Sequence, residues 1–155
     1  VIADAVSILE PLALDRHVEV RTELGDGLAA RAGRCWLRQA LLNLIGNTIK
    51  FNRTGGSIDI ATASSGDHVL IDVRDTGRSV PDLAAELLYR PFERLGHQQT
   101  EVPGTGLGLT ISKQFIEAMD GQLRVTVRRE GGTRATVELP AAVAPARGAA
   151  ARASR

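Results

Sequence analysis

Asn43, Asn47 and Lys50 stand at i, i+4 and i+7 of an otherwise apolar stretch, which puts them on one stripe of a helix. Two amide oxygens and an ammonium so arranged suit a magnesium ion with phosphates beside it; otherwise they form a solvated helix face. Asn is a poor helix-interior residue, so two of them a turn apart call for a reason.

A second polar feature is a run of glycines. In "PGTGLGLTISK" (103–113), Gly104, Gly106 and Gly108 lead into a helical pattern. The spacing matches neither a phosphate-cradling G-x-x-x-x-G-K-[ST] loop nor a G-x-G-x-x-G fingerprint directly after a strand. Their shared property is bare amides at a helix mouth. Such an end either holds an anion through its unpaired N–H groups and dipole, or serves as a flexible hinge.

The third is Asp75. In "VLIDVRD" the alternation puts Val69, Ile71 and Val73 on one face, and Asp75 continues that apolar face. An inward carboxylate must find a donor, for which the exocyclic amine of a purine would serve, or else it caps the "DTG" turn.

These residues need elements to hold them. Residues 1–14 repeat apolar side chains at helical spacing, with Pro11 near the end, and "HVEVRTEL" (17–24) alternates as a half-buried strand. The strongest amphipathic helix is 34–50, apolar at Trp36, Leu37, Ala40, Leu41, Leu44, Ile45, Thr48 and Ile49. "SIDIATA" and "HVLIDVRD" then read as an antiparallel pair. A short helix over 82–89, a polar segment without periodicity over 93–104, a helix over 106–119 and two strands around a Gly turn follow. The fold class is α+β: one mixed sheet of about five strands with its helices on one face. From Pro140 onward the Ala, Pro and Arg composition reads as disordered linker.

Composition narrows the function. At 155 residues and 43% hydrophobic, the chain is one domain's worth with material for a core. The net charge is +1, and Arg147, Arg152 and Arg155 in the tail account for three of the positive charges, so the remainder is slightly acidic and no nucleic-acid partner is indicated. Cys35 is the single cysteine, read as a half-buried thiol in a reducing compartment. No apolar run approaches the roughly 18 residues of a membrane span, so no direct membrane contact is expected.

In this order and spacing, the pieces resemble the ATP-binding catalytic domain of sensor histidine kinases, within the wider superfamily of gyrase, heat-shock chaperone and mismatch-repair ATPases. "QALLNLIGNTIKFNRTGG" is similar to the N box, "DTGRSVP" to the first glycine box, "YRPFERL" to the F box and "GTGLGL" to the second glycine box. The resemblance spans roughly residues 1 to 140. It implies a two-layer α/β sandwich of the Bergerat type with a mostly antiparallel sheet, a link in residues 1–14, an ATP-binding domain over 15–140 and a tail over 141–155.

The resemblance also implies roles. Asn43 and Asn47 would hold Mg2+ and phosphates, and Lys50 would contact phosphate. Asp75 would bond the adenine amine, with Gly77 letting the base lie close, Phe51 lining the adenine pocket and Thr133 joining the nucleotide contacts. Phe92 and Arg94 would anchor an ATP lid over Leu95–Pro103. Gly104, Thr105, Gly106, Leu107, Gly108 and Leu109 would close over the triphosphate. The implied reaction moves the γ-phosphoryl of Mg-ATP to a histidine on a separate dimerisation segment upstream, in a cytoplasmic homodimer that then serves a response-regulator receiver domain.

His17, His68 and His97 lack the acceptor's context, so the acceptor lies outside this chain. Asn43 stands where the water-splitting relatives carry a glutamate base, which favours kinase over hydrolase. Departures from the family pattern are Ser79 for the second glycine of the first glycine box, Thr48 for Ala, Ala135 for an aromatic and Gly33 for an acid. A serine forced to positive φ costs on the order of 1 kcal/mol, so a degenerate regulatory domain of the same fold is one alternative. An anti-sigma-type serine kinase is the other.

Overall fold

The computed structural model describes residues 1–77, 108–129 and 131–142. Chain order is α1 (Ile2–Asp15), β1 (Glu19–Glu23), α2 (Arg34–Phe51), β2 (Ser57–Ser65), β3 (His68–Asp75), α3 (Gly108–Glu117), β4 (Gln122–Val127) and β5 (Thr133–Pro140). The expected helix over 82–89 and the polar segment 93–104 lie outside the described residues.

The five strands form one sheet in the order β1-β2-β3-β5-β4. β1 runs parallel to β2 and every other neighbour is antiparallel, so the sheet is mixed and mostly antiparallel as expected. The parallel pair needs a crossover, and α2 supplies it. β2 and β3 turn over at Gly66, whose φ of +59° is cheap for glycine.

Register puts the apolar parity of three strands on one face. Ile60 pairs with Val73, Val73 with Ala135, and Ile71 with Val137, all buried. Against them lie Leu41, Leu44, Ile45 and Ile49 of α2 and Ile116 of α3 in a single core. At roughly 1.5–3 kcal/mol for each large aliphatic side chain fully buried, this layer holds the fold together. The rings of Trp36 and Phe115 stack at 6.1 Å between centroids and join α2 to α3, although Trp36 is half exposed.

Several expectations change. Cys35 is exposed, not half-buried, because it lies on the outer side of the first turn of α2. β1 is the sheet's edge and only Val20 within it is partly covered, so the half-buried strand read from "HVEVRTEL" is largely exposed. Residues 2–15 contribute Ala5 and Ala13 to the core, and Leu9 meets Gly46 of α2, so this helix is packed into the described fold. The linker reading fails at its start: Pro140 ends β5, Ala141 bridges Ala30, and the Ala142 N–H donates to the Ala29 carbonyl at 2.7 Å. Residues 143–155 lie outside the described residues.

Candidate functional site

The polar stripe of α2 faces the start of α3. Asn43 Nδ2 donates to the Gly108 carbonyl at 3.3 Å, and Gln39 Nε2 donates to Asn43 Oδ1 at 3.4 Å. A Cβ on Gly108 would stand 3.6 Å from Asn47 Nδ2, which places Asn47 beside the same helix end. Among the described residues the Asn47 amide has no hydrogen-bond partner and Lys50 no ion pair. Two amide groups therefore meet at the start of α3, and Lys50 lies on the same helical stripe one turn further along α2.

Ser112 fixes this meeting and sequence reasoning missed it. Fully buried on α3, its hydroxyl lies 2.8 Å from the Gly108 carbonyl and 3.4 Å from the Ala40 carbonyl. The available signal was a hydroxyl on the buried parity of an apolar helix, where a polar group must find a partner.

Asp75 is 5% exposed at the end of β3. Its Oδ1 accepts from the Gly77 N–H at 2.8 Å and the Thr133 N–H at 3.3 Å, and its Oδ2 accepts from the Thr133 hydroxyl. The two readings of Asp75, turn cap and base acceptor, are compatible: the Gly77 bond is the turn, and Oδ2 retains capacity for an amine. A Cβ on Gly77 would meet Asp75 Oδ1 at 2.9 Å and the Phe51 carbonyl at 3.1 Å, so glycine lets this turn close on the end of α2. Gly132 is held tighter still, with φ +83° and a hypothetical Cβ 2.0 Å from the Asp75 carbonyl.

The family model described as histidine kinase-, DNA gyrase B-, and HSP90-like ATPase matches residues 34–143. The chain belongs to that family. It is 38% identical over 130 residues to the histidine protein kinase DivJ of Caulobacter vibrioides, covering 83% of this chain and 22% of DivJ. The catalytic domain of histidine kinase ThkA superposes with a TM-score of 0.78 at 26% identity, covering 90% of this chain and 89% of that one. Full-length ShkA, solved in complex with AMPPNP, gives 0.78 at 26% identity over 92% of this chain and 30% of ShkA. The chain thus spans about a fifth of the length of DivJ and is the catalytic domain of the histidine kinase type.

Within this histidine kinase domain, Asn43, Asn47, Gly108, Asp75, Gly77 and Thr133 are brought together in two groups as described. Lys50 is half-buried, Phe51 is 57% exposed, and Leu109 packs against the core. Phe92, Arg94, Gly104, Thr105, Gly106, Leu107 and the Ser79 departure lie outside the described residues. Thr48 returns its hydroxyl to the Ile45 carbonyl at 2.8 Å, which satisfies its polar atom within α2. Gly33 is the N-cap of α2 without a side-chain cap bond, and Ala135 is buried between β3 and β4. His68 begins β3 as expected, whereas His17 does not open a strand: it occupies a left-handed position between α1 and β1.

Asp72 was also missed. It lies on the opposite sheet face from Asp75 yet is only 8% exposed. Burial alone would raise its carboxyl, but hydrogen bonds from Arg134, Thr136 and Arg74 more than offset this and hold it down at about 2. No described cluster of three His, Cys, Asp or Glu could hold a metal by itself. A cation at Asn43 and Asn47 would therefore share its coordination with phosphate oxygens and water.

Proposed function

We propose that this domain binds Mg-ATP and transfers its γ-phosphoryl group to a histidine on a separate dimerisation segment. The observation that carries the reading is the Asn43–Gly108 contact, which sets the α2 stripe against the α3 terminus. Binding of AMPPNP by ShkA supports the nucleotide, and ThkA, solved also in complex with response regulator protein TrrA, supports a receiver-domain partner. The single cysteine supports a cytoplasmic position.

In this reading the Asp75 carboxylate accepts the adenine amine while Gly77 and Thr133 fix its orientation. Bound magnesium would neutralise charge on the phosphates. Asn43 and Asn47 offer their amide oxygens to that ion, Lys50 faces phosphate oxygens with its ammonium, and the amides at the start of α3 receive the remaining negative charge. The γ-phosphorus bond to the bridging oxygen breaks as a bond to the histidine nitrogen forms, and ADP leaves with the bridging oxygen. Catalysis is positioning and charge neutralisation, and no base is required of this chain.

Calorimetric titration with ATP, with and without magnesium, tests the reading. Micromolar binding that depends on magnesium is expected. Absence of binding up to millimolar would overturn it in favour of a regulatory domain.

A further inference from the structure

Asp75 is gripped through its backbone as well as its carboxylate. The last paired residues of β3 and β5 are Arg74 and Arg134. One residue further, contact between the strands passes to side chains: Thr133 serves the carboxylate, and Arg128 Nη1 donates to the Asp75 carbonyl at 3.1 Å.

Arg128 directly follows β4 and also closes the β4–β5 turn. Its N–H donates to the Gly132 carbonyl at 3.0 Å, and its carbonyl accepts from the Gly131 N–H at 3.1 Å. This turn delivers Gly132 and Thr133, and Gly132 sits so close to the Asp75 carbonyl that no side chain fits between them. One residue therefore ties both ends of the contact. Its backbone shapes the turn that presents Thr133, and its guanidinium holds the strand end that presents Asp75. On the other flank, Thr76 accepts from the Ser57 N–H through its hydroxyl at 2.9 Å, anchoring the same strand end to β2.

We propose that Arg128 is a positioning residue for base recognition, clamping the β4–β5 turn to the end of β3 so that the Asp75 carboxylate keeps its orientation. This rests on the reading of Asp75 as the acceptor of the adenine amine. Arg128 acts through Asp75 and Thr133, on the base side of the site. A lost charge-assisted hydrogen bond at such a joint weakens what it positions by about tenfold.

The test titrates wild type, Arg128→Met and Arg128→Lys with adenosine and with Mg-ATP, and follows amide hydrogen exchange without ligand. Arg128→Met should weaken adenosine and Mg-ATP by the same factor of about ten and speed exchange at Thr133 and Gly77, while Ile71 and Val137 in the core stay protected. Arg128→Lys, which keeps a donor, should recover part of the affinity. Unchanged adenosine affinity in Arg128→Met overturns the proposal, as does a loss confined to Mg-ATP, which would place Arg128 on the phosphate side. If core protection is lost in Arg128→Met, Arg128→Lys decides alone: equal weakening of both ligands supports the proposal, and wild-type affinity for both overturns it. A wild type that binds neither ligand overturns the ATP reading along with the proposal, whereas a binding wild type with an unaltered Arg128→Met overturns the Arg128 role alone.

Discussion

Arg134 holds Asp72 in a fork, Nε to Oδ1 at 3.0 Å and Nη2 to Oδ2 at 2.5 Å, while Thr136 adds a third bond to Oδ1 at 2.6 Å. The folded carboxyl titrates at about 2, below its ordinary value of 3.8. The unfolded chain therefore binds more protons between these values, and stability falls as pH drops from about 4 to 2 and is fully present above that window. Asp72→Asn should lose on the order of 1–2 kcal/mol at neutral pH and show a flatter acid limb in thermal melts recorded against pH. An acid limb as steep as that of wild type would remove Asp72 from the account.

Two of the glycines that touch the site, Gly132 and Gly108, should respond differently to Ala. Gly132→Ala places a Cβ 2.0 Å from the Asp75 carbonyl at positive φ, so it should cost about 3 kcal/mol or more and be visible as a large drop in melting temperature. Among the described residues Gly108→Ala meets nothing closer than 3.6 Å, and it should melt within about 1 kcal/mol of wild type while losing Mg-ATP affinity, because its methyl group faces Asn47. Equal melting temperatures for the two variants would contradict this placement.

Asp75→Asn should lower ATP affinity at least about a hundredfold, since an amide cannot accept from Gly77, Thr133 and the base at once. The fold should persist at reduced stability. Calorimetry and circular dichroism on the same sample check both halves, and retained affinity would sink the adenine assignment.

His17 pays for a turn at φ +53° while its carbonyl accepts from the Gly55 N–H at 2.9 Å. His17→Gly relieves the left-handed strain at the end of α1 and should raise stability by about 1 kcal/mol, near 2–4 °C in melting temperature. An unchanged or lower melting temperature would show that the strain is absent.

Much of this was legible because hydrophobic period and motif order act locally. The stripe of Asn43, Asn47 and Lys50 and the inward parity of Asp75 follow from 3.6- and 2-residue repeats, and the structure keeps both. Asp72 escaped because the same parity rule assigns it to the opposite face of the sheet from the core, where Arg74 of β3 and Arg134 and Thr136 of β5 close around it. Ser112 escaped because its partners are carbonyls, which no side-chain pattern records. The exposure of β1 was illegible for a third reason: alternation gives a face, whereas cover depends on which strand stands at the edge. Arg128 acts on a backbone oxygen 53 residues away, a pairing that only tertiary structure creates.

The seam between β3 and β5 also has a consequence during synthesis. The β2–β3 and β4–β5 hairpins close across short turns, but Asp75 and Thr133 are 58 residues apart, and closing so long a loop costs more entropy and time. On a ribosome, Asp75 emerges well before the strand that completes its surroundings. Nucleotide therefore cannot template the first half of the domain, and ATP adds to stability only after β5 has docked.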